Sequence, residues 1–386
     1  MTHKTWTLLD TRRGIYLDSL HVTPDYIGGS AEGYLIVKRR LAGGVSDGVD
    51  IVEIDNGAFR MQVLPTRGMG LWRAGCGDVE LRWNSPARGP VHPSWVPLFD
   101  PSGVGWLEGF DEFLVRCGLE SNGAPDFDEN GKLLYPLHGR IANLPARKVE
   151  LTVNGETGEI TLSGTVEESR LFFKRMELNV SYTTYVNSPG VTVRDTVTNL
   201  SAEPAPFELL YHINLGAPLV APGATMQLPF QAMAPRDEAS AEQMNNWETM
   251  APENPGSTEA AFYFDPAADR DGNTLAVLAN AKEDRGLSLA YNRNQFPCFT
   301  FWKSHQADGD GYVAGLEPGI NFPNPRSVEE KNGRIVTLPP KTSQSFEMTL
   351  EVQRSREEVQ RAAEIVRGLQ EEGEKQVSPQ PKAGWS

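Results

Sequence analysis

Apolar and polar residues alternate with a period of two along much of this chain, and that pattern limits its possible folds more than any other feature. Ile160, Leu162 and Val166 alternate with Thr161, Ser163 and Thr165. Val191, Val193 and Val197 alternate with Thr192, Arg194, Thr196 and Thr198. Phe346, Met348, Leu350 and Val352 alternate with Glu347, Thr349 and Glu351. Successive side chains of a strand point to opposite faces, so these β-rich runs predict half-buried antiparallel strands. The 37 Gly and 28 Pro are spread throughout, as punctuation between many short strands requires. Asn154-Gly155 and Asn332-Gly333 are candidate hairpin turns. One segment has a different period. Ser355 and Glu358 form an S-x-x-E capping box, and Val359, Ala362, Ile365, Val366 and Leu369 then fall on one helical stripe. The spacing predicts a β domain over 1–353, a helix over 354–374 and a flexible, polar, Pro-rich tail over 375–386.

Charge and cysteine usage narrow the function classes. Lys and Arg number 36 against 51 Asp and Glu, a net charge of −15. Binding to a phosphate backbone needs a positive field, so nucleic acid is not an expected partner. A small ligand fits this balance better, with local basic pockets still allowed. Cys76, Cys117 and Cys298 form no C-x-x-C pair, which argues against a disulfide framework and a cysteine zinc site. No metal and no cofactor is expected. The longest stretch free of charged residues, 209–235, contains Pro218, Pro222, Pro229 and Pro235 and cannot be a membrane helix. The N-terminal residues show no signal-peptide pattern, so a cytoplasmic protein without a membrane partner is expected. The oligomeric state is left open.

Segments 85–136 and 235–255 lack clear period-two runs and read as long loops, a class that is commonly functional. Several residues stand out as carriers of chemistry. His138 lies in Leu137-His138-Gly139-Arg140, and His212 follows the apolar run 207–210, at an expected strand end. An imidazole titrates near neutrality and suits acid–base work, although an isolated one is commonly a satisfied core residue. Glu317 precedes Pro318, which is expected to end strand pairing, and it would project from a stiff point as a general base does. Its structural alternative is a loop cap or a partner of an arginine. Trp302 and Lys303 should face opposite sides of one strand. Aromatic planes beside polar groups suit sugar C–H faces, while core packing and a solvated face are the plainer readings. Arg67, Arg116 and Arg140 sit in Gly-rich surroundings, where a guanidinium can grip hydroxyls or anions or can serve structure alone. Asp195 falls on an apolar face and reads as structural, bound to nearby backbone N–H groups.

Taken in order, LHG at 137–139, YHINLG at 211–216 and GLEPGINFPN at 315–324 resemble the aldose 1-epimerase (galactose mutarotase-like) superfamily. LPTRGMGL at 64–71, RCGLESNG at 116–123, LHGRIANLPA at 137–146 and FWK at 301–303 look like a less characterised branch of it. The resemblance covers residues from about 30 to 353. It implies an all-β fold, a large antiparallel β-supersandwich with a sugar cleft on one sheet, here with a short C-terminal helix. It implies Glu317 as the base that deprotonates the anomeric hydroxyl and His212 as the acid that protonates the ring oxygen. His138 would bind the sugar and help polarise it, Arg116 would add a contact, and Arg67, Arg140, Trp302 and Lys303 join them as candidate substrate contacts from their own settings described above. Of these, Arg116 is only the nearest match to the family's arginine. The expected partner is a small-molecule sugar or sugar derivative, and the expected activity is anomer interconversion. Two other readings stay open: an enzyme acting on a sugar acid or sugar phosphate, motivated by Arg140 and Lys303, and a non-catalytic carbohydrate-binding protein.

Overall fold

The structure, a computed structural model, describes residues 2–370 and 375–386. Among them the strands form two large sheets, of ten and fourteen strands, and one two-stranded ribbon. Pairing between strands is antiparallel except between Phe230–Pro235 and Gln376–Val377, and an isolated parallel bridge joins Gly118 to Gly139.

The ten-stranded sheet carries the alternating runs. Glu159–Ser169, Arg175–Tyr185, Gly190–Asn199 and Ser343–Gln353 are successive neighbours in it. Ile160, Leu162, Val166, Val191, Val193, Val197, Phe346, Met348, Leu350 and Val352 are all buried in one core shared with the second sheet. Burial of each such side chain contributes about 1.5–3 kcal/mol. A slip of one residue would turn the whole set to solvent, which fixes the register.

The fourteen-stranded sheet is covered on both faces at its centre. There the order is Leu114–Leu119, Ala205–Leu215, Tyr312–Gly319, Cys298–His305 and Ala260–Pro266. Every residue of Leu114–Leu119 and of Tyr312–Gly319 is buried. One face meets the main core. The other lies under the 85–136 segment, whose Trp106 and Phe110 pack on Val115, Cys117, Leu210 and Val313. A strand buried on both faces shows no alternation. For that reason Leu114–Leu119 was hidden within a segment that reads as loop.

Several local expectations change. Asn154-Gly155 does lie in the connection between the paired strands Lys148–Asn154 and Glu159–Ser169. Asn332-Gly333 is not a hairpin: it closes the helix Arg326–Lys331, with Gly333 at φ 68°, the left-handed position glycine favours after a helix. The C-terminal helix spans Arg356–Gln370, and Glu358 N–H donates to Ser355 Oγ at 3.2 Å. Ala362 and Val366 pack on Leu275 and Val277, whereas Ile365 is 56% exposed and falls off the stripe. The helix expected over 371–374 lies outside the described residues. The segment 375–386, expected to be flexible, adds Gln376–Val377 to a sheet edge and lays Trp385 on Phe322, ring centroids 5.2 Å apart. Among the described residues no helix is long and apolar enough to cross a membrane.

Candidate active site

His212 and Glu317 meet across two neighbouring central strands. The pairs Leu210–Gly319 and Ile213–Leu316 set the register and place His212 opposite Glu317. Backbone pairing lapses between those two pairs, where Pro318 has no N–H to give. Strand pairing resumes on the other side, with Phe299 opposite Pro318 and Cys298 opposite Gly319. Pro318 therefore does not end the strand, and His212 lies within a strand that runs on to Leu215. His212 Nε2 is 3.2 Å from Glu317 Oε1, with both side chains at most 5% exposed. Both form part of the wall of a cavity of about 460 Å3, a size in the usual range for small-molecule sites.

The electrostatics favour neutral forms for both groups. Burial, then the neighbouring His138, hold the His212 imidazole well below its ordinary value, against a smaller opposing pull from Asn214. Burial, then Glu259, push the Glu317 carboxyl well above its usual range, against Arg236. A protonated carboxyl beside an unprotonated imidazole carries one exchangeable proton between them. His212 Nδ1 has no hydrogen-bond partner among the described residues.

His138 sits beside this pair, its ring centroid 5.4 Å from that of His212 and 4.6 Å from Trp106. Its Nδ1 is 2.7 Å from the Asn122 carbonyl. A carbonyl only accepts, so Nδ1 carries the proton and Nε2 of the neutral ring is an acceptor. Burial lowers the His138 pKa to about 4, so the ring is neutral above that pH. Its backbone is left-handed, φ 55°, which is uncommon for a residue with a side chain.

Strand parity decides the remaining candidates. Thr300 and Trp302 share the cavity face with Glu317, and Trp302 lies 5.3 Å from the His212 ring. Thr300 Oγ1 is buried and has no partner among the described residues. Gly315 shares this floor: a Cβ there would stand 3.0 Å from Glu317 Oε1, 3.0 Å from His212 Cε1 and 3.1 Å from Trp302 Cε3. Lys303 faces the other way, as alternation requires, and donates to the Asn246 and Thr249 carbonyls at 3.0 and 3.1 Å. It holds the 235–255 segment and is not a cleft residue; burial lowers its pKa to about 8.

The three expected arginines also lie elsewhere. Arg116 pairs with Tyr211 on the core face, where it binds Asp195 through two nitrogens and donates to Tyr182 Oη at 2.9 Å. Asp195 is structural, but its partners are Arg116 and the Tyr211 hydroxyl rather than backbone N–H groups. Arg67 is 1% exposed and donates to Glu112, Val91 O, Asn143 and Gly109 O, so it stitches loops together. Arg140 faces a different cavity, beyond the His138 turn.

Sequence reasoning missed a charged fork in the cleft wall. Arg236 follows the strand Phe230–Pro235, and Glu259 precedes its antiparallel neighbour Ala260–Pro266, so the two meet at one sheet end. Arg236 Nη2 is 2.9 Å from Glu259 Oε1, and its Nε donates to Asp237 at 2.8 Å. Glu259 Oε2 accepts from the Trp302 indole at 2.8 Å. The available signal was a pair of charges at strand ends beside a long loop. Among the described residues no group of three or more His, Cys, Asp or Glu is placed to hold a metal ion.

Known structures share this architecture. A Klebsiella pneumoniae protein carrying the provisional name aldose 1-epimerase superposes with a TM-score of 0.95 at 29% identity over 99% of each chain. A galactose mutarotase-like protein from Clostridium acetobutylicum gives 0.53 at 16% identity, over 80% of this chain and 96% of its own. One from Lactobacillus casei gives 0.50 at 16%, over 78% and 99%. The last two show the fold alone: the all-β supersandwich of mutarotase-like proteins. Comparison with curated proteins finds no match. Residues 46–352 match the family described as Domain of unknown function (DUF4432), and the chain belongs to it.

Proposed function

We propose that the protein is an aldose 1-epimerase-like isomerase that interconverts the anomers of an uncharged sugar by acid–base catalysis. The observation that carries this reading is the 3.2 Å contact between His212 and Glu317 in the cavity wall. The two groups stand together on one wall of the cavity. That arrangement suits the chemistry, because O1 and O5 of a pyranose hemiacetal are bonded to the same carbon. Opening the ring takes a proton from the O1 hydroxyl, breaks C1–O5 and gives a proton to O5. Rotation about C1–C2 then presents the other face of the aldehyde, and closure reverses the transfers. The proton count never changes, so a pair holding one proton is sufficient.

From the neutral state, Glu317 gives its proton to O5 and His212 Nε2 takes the one from O1. Proton transfer across the 3.2 Å contact gives the opposite assignment, the one the resemblance implies. Trp302 and Phe110 offer apolar surface for sugar C–H groups. His138 Nε2 accepts a hydroxyl, and the Arg236–Glu259 fork both donates and accepts. Arg236, the one cation among the lining residues, is already matched by two carboxylates, which favours a neutral ligand. The charged-sugar reading rested on Arg140 and Lys303, and neither lines this cavity. Glu317→Gln preserves shape and removes the transferable proton. Catalysed anomer exchange, followed by NMR, is expected to fall about 10²–10⁴-fold with the circular dichroism spectrum unchanged. Unaltered catalysed exchange in the variant would remove Glu317 from the mechanism, and no exchange above the uncatalysed rate in the unsubstituted protein would leave a carbohydrate-binding protein as the better reading.

A further inference from the structure

Beyond the turn that carries His138 lies a second concave site, of about 210 Å3, which shares no lining residue with the cleft. Four cations border it: Arg140, Arg170, Lys174 and Arg326. Phe173 closes one side, from the tip of the hairpin joining Glu159–Ser169 to Arg175–Tyr185. So many cations around one small cavity run against a chain whose net charge is −15.

Two of the four are already engaged. Arg326 donates to the Glu120 carbonyl at 2.5 Å. Arg170 donates to the Glu120 carboxylate at 2.8 Å and lies over the Phe173 ring at 3.5 Å. The other two are not. The Arg140 side chain is only 17% exposed, yet its guanidinium comes no closer to a carboxylate than 4.0 Å, at Glu120. Neither Arg140 nor Lys174 has a side-chain hydrogen-bond partner among the described residues. A guanidinium offers five N–H donors, and those of Arg140, at the border of the cavity, have no protein acceptor among the described residues. The second carboxylate in the wall, Glu168, is buried and accepts from the Leu119 N–H at 3.3 Å; Arg140 acts on it through its charge but makes no hydrogen bond to it.

We propose that this cavity binds the oxyanion group of a small organic molecule, a phosphate ester or a carboxylate, through Arg140 and Lys174. The guanidinium grips two oxygens of the group and the ammonium neutralises it from the hairpin tip. The stacked Arg170–Phe173 pair forms a flat wall for the remainder of the ligand. Arg140 N–H donates to Gly118 O, and Gly118 N–H donates to His138 O, so the site shares its backbone turn with the cleft.

Isothermal titration calorimetry at low ionic strength tests this with glycerol 3-phosphate, citrate and uncharged glycerol. At least one of the two anions should saturate a single site, and glycerol should not bind. Binding of glycerol 3-phosphate alone assigns a phosphate ester, and binding of citrate alone assigns a carboxylate. Arg140→Ala and Lys174→Ala should each weaken binding about tenfold, about 1.4 kcal/mol, while Glu317→Gln leaves it unchanged. Lys174 is exposed, so its substitution carries the test even where Arg140→Ala fails to fold. Absence of saturable anion binding, or binding untouched by Lys174→Ala, overturns the proposal. Loss of binding in Glu317→Gln overturns it too, because the anion would then lie in the cleft.

Discussion

A one-proton pair has a characteristic response to pH. In the proposed mechanism His212 must stay free of a second proton, and Glu317 must keep its own or have it held by the imidazole. Burial moves the first limit down and the second up. The catalysed rate is therefore expected to stay flat across the neutral range. It falls toward acid, as His212 protonates while Glu317 remains protonated, and toward alkali, as the last proton leaves. A pH–rate profile measured by polarimetry checks this. A narrow bell bounded by ordinary carboxylate and imidazole values would contradict it. The residues that set this response were visible in the sequence as short motifs. Their contact was not, because residues 105 positions apart meet only through sheet register.

Among the elements, what was legible follows from periodicity. Strands with one wet face, such as Gly190–Asn199 and Ser343–Gln353, announce themselves by alternation. Leu114–Leu119, covered on both faces, does not. The same strand explains the misplacement of Arg116. A guanidinium in a Gly-rich motif reads as a ligand contact, but parity turns it into the core, where Asp195 meets it from the facing sheet. Removing one partner of so buried a pair leaves a charge without compensation. Asp195→Ala is expected to cost roughly 3–5 kcal/mol in urea unfolding. The double change Arg116→Met with Asp195→Leu should cost less than that single change. Equal losses would show that the Arg116 charge left alone carries no penalty of its own. Arg236 and Glu259 stayed hidden because the sheet order that joins their strands cannot be read from spacing.

At the level of the whole molecule, residues 375–386 brace the wall of the cavity that His212 and Glu317 line. Trp385 rests on Phe322, which stacks on Tyr263 at 4.4 Å. Asn324, in the cavity lining, donates to the Trp385 carbonyl at 2.7 Å. A polar, Pro-rich tail reads as loose because one tryptophan is too little apolar surface to declare a docking site in sequence. Trp385→Ala is expected to lower stability by about 1–2 kcal/mol. It should also raise KM several-fold with a smaller change in kcat, as the 321–325 segment loses its support. Unchanged KM in anomer-exchange kinetics would mean that the tail does not steady that wall.

His212, Glu317 and Thr300 belong to paired strands at the middle of a sheet, whereas Val104, Leu107, Leu137 and Pro323 reach the cavity from connections outside it. Under the proposed function, insertions and exchanges in those connections would alter which sugar is admitted without disturbing the atoms that move its proton. A scaffold divided in this way would let one proton-transferring pair serve ligands of different shape.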